Sequence, residues 1–310
     1  MRPLLLAMPG NEGVVTGLQV AIAADLARYE LRRFPDGETY FRLDDDARDR
    51  HVVVLCTLRG PDAWLAPLVF AADLLRESGA RRVGLVAPYL AYMRQDRRFR
   101  PGEAITSVSF ARLISRAFDW LVTVDPHLHR RQSLDEIYRV PSRVVHAAGR
   151  LAEWVRGHVT RPVIVGPDAE SEQWVRSVAD AVPCPFVILS KNRHGDRDVA
   201  VSALPGVRRW KEHTPVLIDD IVSSAHTMAE TVRQCTTAGL PPPVCLGVHA
   251  VFAGGADELL RSAGAARVVT TNTIAHPSNG IDVSDDVAVA TRTFLDLTDG
   301  VGAPVPHSRS

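Results

Sequence analysis

The sequence has little that would staple a chain, anchor it in a membrane or give it a charge of one sign. Its four cysteines, Cys56, Cys184, Cys235 and Cys245, show no Cys-x-x-Cys spacing, so neither a zinc site nor a disulfide framework is indicated. Most lie in or beside apolar runs and read as buried thiols, and a reduced, cytoplasmic chain is the expectation. No apolar run approaches the roughly 20 residues of a membrane span. The apolar part of Met1–Gly10 is too short for a secretory signal and lacks a cleavage region. The 36 Lys and Arg are balanced by 36 Asp and Glu, which argues against a sequence-independent nucleic-acid binder. Such a protein needs a basic surplus to displace counterions.

What is present, 46% hydrophobic and 23% charged residues over 310 positions, is the composition of a soluble enzyme. At roughly 150 residues per domain, the length allows about two domains. Short apolar runs alternate with segments of helical period, the pattern of a mainly parallel sheet flanked by helices. Leu4–Met8, His51–Cys56, Val83–Ala87 and Trp120–Val124 predict one series of strands. Val163–Val165, Phe186–Leu189, Val216–Ile218, Val244–His249 and Arg267–Thr271 predict a second. Helices are predicted near 15–28, 61–78, 105–117, 144–158, 169–181, 225–238 and 256–263. The alternation pauses over 126–145, which divides the chain into 1–143 and 144–289, with 290–310 expected to pack back on the first domain. The polar tail 302–310 is expected to be disordered.

Five polar segments stand where predicted strands end or helices begin, which is where open α/β sheets bind ligands. In the clearest, a strand runs into Asp219 and Asp220, then Ser223, Ser224, Ala225, His226 and Thr227, then a helix. Hydroxyls and first-turn amides make an anion site there, because those amides lack helical partners and the dipole is positive. Neighbours on an extended chain point to opposite sides, so one aspartate can face ligand hydroxyls or a metal while the other braces the loop. A capped helix behind a solvated strand end fits the same letters.

The second segment, Pro88–Arg100, holds four arginines (Arg94, Arg97, Arg98, Arg100) with Tyr89, Tyr92 and Phe99. Guanidinium forks suit phosphate oxygens and stack on flat bases; a solvated loop or an RNA contact is the alternative. In the third, Asp125, His127 and His129 alternate after a strand, a spacing at which they can share a divalent ion. Such a group is more often structural, since catalytic zinc needs three good ligands and magnesium prefers oxygen. The fourth ends a strand at Gly166, Pro167 and Asp168. The fifth, 189–198, carries Lys191 and Arg193 in a polar loop that either closes over phosphates or is a plain surface hairpin.

Taken in order, these segments resemble the ribose-phosphate pyrophosphokinase family over about residues 10–275. Gly10-Asn11 is similar to its Gly-Asn turn, and Phe34 to Glu38 to its Phe-x-Asp-Gly-Glu motif. Arg94-Gln95-Asp96-Arg97 matches its Arg-Gln-Asp-Arg run, Asp125-x-His127 its Asp-Leu-His motif, and Pro167-Asp168 the start of its Pro-Asp-x-Gly-Gly segment. Lys191-x-Arg193 stands where the family keeps basic residues on a flexible loop, and Asp219 to Thr227 falls on its ribose-phosphate loop.

The resemblance implies two phosphoribosyltransferase-like α/β domains, each a mainly parallel sheet flanked by helices. It implies ATP and ribose 5-phosphate as substrates, Mg2+ as the cofactor, and a homo-oligomer of two or more chains, with no nucleic-acid or membrane partner. The pyrophosphoryl group of ATP would pass to the anomeric hydroxyl of ribose 5-phosphate, releasing AMP. By resemblance, Phe34, Asp36 and Glu38 reach the adenine of ATP bound mainly by a neighbouring subunit, and Arg94, Gln95, Asp96 and Arg97 hold ATP. His127 and Asp168 bind the metal, directly or through water, while Lys191 and Arg193 neutralise developing charge. Asp219 and Asp220 take the ribose hydroxyls and their metal, and Ser223, Ser224, Ala225, His226 and Thr227 cradle the 5-phosphate.

Two departures stand out. Ala169-Glu170-Ser171 replaces the family's glycines, and His226 stands for a glycine where space is expected to be tight. That imidazole either points outward or brings positive charge to the phosphate. A non-catalytic regulatory paralogue and a single-domain phosphoribosyltransferase are the competing interpretations.

Overall fold

The computed structural model describes residues 1–166, 171–189, 191–193, 199–201 and 207–296, with the backbone alone for Lys191–Arg193 and Val199–Val201. The first half runs β1 (Leu4–Ala7), α1 (Glu12–Ala21), β2 (Asp25–Leu26), β3 (Tyr29–Arg33), β4 (Thr39–Leu43) and β5 (His51–Leu55). It continues with α2 (Leu65–Glu77), β6 (Arg82–Ala87), α3 (Thr106–Ala117), β7 (Leu121–Val124) and β8 (Ser142–Val145). The second half begins with α4 (Ala148–His158), β9 (Pro162–Gly166), α5 (Glu172–Ala181), β10 (Phe186–Ile188), β11 (Lys191–Arg193) and β12 (Val199–Val201). It ends with β13 (Thr214–Ile221), α6 (His226–Thr237), β14 (Val244–His249), α7 (Ala256–Ser262), β15 (Arg267–Thr271), β16 (Asn279–Ile281) and α8 (Ser284–Asp296).

Two six-stranded sheets result, ordered β2-β1-β5-β6-β7-β8 and β10-β9-β13-β14-β15-β16. Every pairing within them is parallel. Each sheet sends its second strand to one side of the first and the rest to the other, so the strand order reverses at β1/β5 and at β9/β13. Such a reversal opens a crevice beyond the strand ends. At β9/β13 that crevice lies between Gly166 and the Asp219–Asp220 pair.

Parallel strands covered on both faces read as unbroken apolar runs, which is why these were visible in the sequence. Leu4 and Leu6 face a layer with Leu68, Leu75, Phe110 and Ile114 of α2 and α3. Leu5, between them, faces a core shared with Ile164, Val216 and Ile218 of the second sheet and with α1, α4, α5 and α8. Helices α6 and α7 cover the second sheet's other face through Met228, Val232 and Leu260.

Helix α8 returns to the first sheet. Its Phe294 stacks on Trp120 at 4.9 Å, and a Cβ at Gly84 would fall inside the Trp120 ring. Burying an aromatic side chain of this size is worth roughly 2–3 kcal/mol. Arg150 on α4 grips Asp286 through Nε at 2.6 Å.

Several predicted boundaries move. Helix α1 stops at Ala21 instead of 28, because Ala23 takes φ 50° and the chain turns into β2. The antiparallel hairpin β3–β4 was not predicted. Its Tyr29, Leu31, Phe41 and Leu43 pack on the core with period two, while Glu30, Arg32 and Arg42 interrupt the apolar pattern. Residues 144 and 145, expected to open a helix, belong to β8, so the first sheet reaches past residue 143. Helix α8 was also unpredicted, although Val287, Ala288, Thr291 and Phe294 form a buried helical stripe. The tail 302–310 lies outside the described residues.

Candidate active site between the two sheets

The cleft is floored by the end of β13, which extends through both aspartates instead of stopping at Ile218. Asp220 is 5% exposed. Its carboxylate accepts from His127 Nδ1 at 2.7 Å and from the Ile221 amide at 2.8 Å. His129 Nε2 stands 3.9 Å from the same carboxylate. Burial pushes this carboxyl up, but the hydrogen bond and positive charge of His127, with that of His129, outweigh it and hold it at about 2. Asp219 is half-buried, lines the cleft and accepts from the Asp220 amide at 3.0 Å. Asp220 thus braces and Asp219 faces the opening, as alternation on a strand requires.

Behind them His249 is buried at the end of β14. Its Nε2 donates to the Asp125 carbonyl at 3.3 Å, and Nδ1 meets Thr273 Oγ1 at 2.9 Å. Burial pulls its pKa down to about 4, so the ring is neutral at pH 7. Asp125, at the end of β7 with φ 35°, accepts from the Ala147 amide at 2.8 Å and from His146 Nδ1 at 2.9 Å. It secures the passage from β8 into α4.

Beyond Asp220 the chain turns into α6 through Ser223, Ser224 and Ala225, and all three line the cleft with His226 and Thr227. The turn is pinned from behind, where Phe252 N donates to the Val222 carbonyl and Ala253 N to that of Ser223. Here the expectation of tight space at His226 is corrected. His226 is exposed as the first residue of α6, and the left-handed residue is Ala225, with φ 56° and ψ 9°. The backbone demand for glycine falls one residue earlier than the motif suggests.

Across the cleft, Arg94 Nη1 reaches Ser223 Oγ at 3.4 Å and connects the two domains. Asp96 and Gln95, expected on ATP, are directed elsewhere. Asp96 is buried and takes Arg130 Nη1 at 3.0 Å, and Gln95 accepts from Thr106 Oγ1 at the start of α3. They position their loop. The Arg97 and Arg130 guanidiniums both lie over the exposed Phe99 ring, at 5.0 and 5.6 Å from its centroid.

Phe34, Asp36 and Glu38 form the tip of the β3–β4 hairpin, closed by the Phe34 amide on the Glu38 carbonyl and the Glu38 amide on Asp36. All three are exposed and none lines the cleft of its own chain. Lys191 and Arg193 were expected in a loop but belong to β11, which pairs antiparallel with β12 beside α6. Asp168 lies outside the described residues. His129, Arg130, Phe99 and His249 were not among the predicted site residues. His129 and Arg130 follow the Asp-x-His motif directly, and that adjacency was the available signal.

The sequence model of the N-terminal domain of ribose phosphate pyrophosphokinase matches residues 4–117, and that of the phosphoribosyl transferase domain matches 133–287. The ribose-phosphate pyrophosphokinase of Saccharolobus solfataricus is 30% identical over 295 residues, covering 93% of this chain and 99% of that one. That of Methanopyrus kandleri is 32% identical over 291 residues, covering 92% and 98%. The chain belongs to the ribose-phosphate pyrophosphokinase family. The fold of this family member is also that of the crystal structure of phosphoribosylpyrophosphate synthetase from Mycobacterium smegmatis. The TM-score is 0.81 at 22% identity, over 95% of this chain and 99% of that chain.

Proposed function

We propose that this family member transfers the pyrophosphoryl group of ATP to the anomeric hydroxyl of ribose 5-phosphate, giving phosphoribosyl pyrophosphate and AMP. The observation that carries it is the cleft itself: Asp219 and the Ser223–Thr227 turn at the start of α6 on one wall, and Arg94 of the other domain opposite. The Ser223, Ser224 and Thr227 hydroxyls with the first-turn amides of α6 bind the 5-phosphate. Asp219 accepts from the ribose hydroxyls and fixes the sugar. Arg94 neutralises phosphate charge, and Lys191 and Arg193 act on charge that spreads in the transition state.

Magnesium requires oxygen donors and keeps much of its water. The Asp219 and Asp220 carboxylates fit that demand, and magnesium held there and on the substrate phosphates would supply charge neutralisation. His127, expected as its ligand with Asp168, is an imidazole with Nδ1 committed to Asp220, and it fits magnesium less well. The exposed hairpin tip Phe34–Glu38 completes the nucleotide site of a second copy, so the active form is a homo-oligomer. Among the described residues no helix is long and apolar enough to cross a membrane, and the cytoplasm is the proposed location.

The test is AMP formation from ATP with and without ribose 5-phosphate and magnesium. A rate requiring both supports the assignment; its absence would favour a non-catalytic paralogue. Lys191→Ala should lower kcat far more than it raises KM.

A further inference from the structure

His127 and His129 alternate on the loop after β7, so both rings come to one side, 3.8 Å apart and nearly perpendicular. By themselves two imidazoles make half a metal site. The third donor comes from 93 residues along, when β13 of the other domain brings Asp220 against them. One donor atom from each of His127, His129 and Asp220 lies within 4.8 Å of the other two. All three residues line the cleft. We infer that His127, His129 and Asp220 form a site for one transition ion of the zinc, cobalt or nickel class, bound across the two domains with an open position toward the cleft.

Two imidazoles and one carboxylate are the donors such ions take, and magnesium is poorly served by them. The carboxylate is already ionised, held low by its histidine neighbours despite burial. The Ile221 amide on Oδ1 fixes its orientation, as outer contacts do for metal ligands. An incoming ion would displace the proton that His127 donates to Asp220. It would join the loop after β7 to the end of β13, adding a link between domains otherwise connected here by hydrogen bonds. The site does not depend on the proposed activity, because it is complete without substrate.

The test uses the tag-free full chain, stripped with a chelator and titrated separately with Co2+, Zn2+ and Mg2+ in the absence of substrates. Calorimetry should give one Co2+ or Zn2+ per chain, bound at least ~100-fold more tightly than Mg2+. Bound Co2+ should show the visible bands of a nitrogen-ligated ion, and Zn2+ should raise Tm where equal Mg2+ does not. His129→Ala should weaken Co2+ by more than the roughly 10- to 100-fold that loss of an outer contact costs. His129→Gln, which keeps a polar side chain in place, should do the same with an unchanged circular dichroism spectrum. His146→Ala, beside the His146–Asp125 pair, should leave the affinity unchanged. Undiminished Co2+ binding in both His129 variants, or equal affinity for Co2+ and Mg2+, would overturn the site. AMP formation plays no part in this readout, so failure here and failure of the proposed activity are separate outcomes.

Discussion

Asp125 and Asp220 stand at the ends of parallel strands, one in each sheet, both almost wholly buried and each against a histidine. Burial pushes both carboxyls up, yet the two end on opposite sides of their ordinary value. At Asp125 burial prevails, because the opposing donors are one backbone amide and His146, whose side chain is 70% exposed. At Asp220 the partner His127 is only 17% exposed and His129 stands behind it, and their combined pull brings the carboxyl to about 2. The sequence presents both as an aspartate ending an apolar strand. What separates them is whether imidazoles or backbone surround the carboxylate, and that makes one a brace and the other a functional anion.

The largest effect should come from deleting the charge at Asp220. Asp220→Asn leaves His127 without its anion and removes a metal-facing oxygen, and kcat/KM for AMP formation should fall by roughly 10^2 to 10^3-fold. Asp125→Asn should keep activity within about tenfold, because its carboxylate holds the β8–α4 passage and touches no substrate. Equal losses in the two variants would make the aspartates equivalent and remove the distinction.

His249 lies between the two, with Nε2 on the Asp125 carbonyl and the ring close enough to feel the Asp220 charge. Its folded pKa is lowered from 6.5 to about 4, so the unfolded chain binds the proton more tightly. The corresponding stability is complete above pH 6.5 and is lost as pH falls from there through about 4. At 1.36 kcal/mol per pKa unit the total is roughly 3 kcal/mol. Denaturant titrations from pH 7 to 4 should show this decline in the wild type and a flatter one in His249→Gln. Identical slopes would mean that the ring does not titrate between the aspartates. Asp220 acts in a lower window, its contribution lost as pH falls from 3.8 toward 2.

Next in size is the stability cost of Asp125→Asn. A hydrogen bond to a charged group is worth about 1.5–3 kcal/mol, and the exposure of His146 leaves the Ala147 amide as the main contributor. A loss of about 2 kcal/mol in ΔG of unfolding is expected, and a change below about 0.5 kcal/mol would show that Asp125 does not secure the passage into α4.

How much of this was legible follows from distance along the chain. The Asp219–Thr227 segment was readable because strand, carboxylates, hydroxyls and helix start are continuous, and the local chemistry is carried by adjacent residues. The parallel strands were readable because burial on both faces leaves unbroken apolar runs. The pairing of His127 with Asp220, and of Asp96 with Arg130, joins residues 93 and 34 apart, and no local pattern encodes either. The hairpin β3–β4 escaped because charged residues alternate with its apolar ones. Helix α8 escaped because its partner, Trp120, lies in the first half of the chain. The glycine motif misled by one residue, since a motif records which letters are usual and backbone geometry decides which of them is needed.

That last point sets the smallest prediction, and it compares two neighbours at the cleft. Ala225 occupies the left-handed region at φ 56°, where Cβ crowds the following carbonyl at a cost of about 1–2 kcal/mol. Glycine removes that crowding but loses more freedom on folding, a penalty of roughly 0.5–1 kcal/mol. Ala225→Gly should therefore gain about 0.5–1 kcal/mol in stability. His226 opens α6, where glycine brings only its poor helix propensity, so His226→Gly should be neutral or lose up to about 0.5 kcal/mol. The turn is held from behind by the Phe252 and Ala253 amides, so it should keep its shape in both variants. Calorimetric titration of ribose 5-phosphate should then find Ala225→Gly binding at least as tightly as the wild type. Stabilisation by His226→Gly together with destabilisation by Ala225→Gly would return the strained position to residue 226 and contradict the backbone described here.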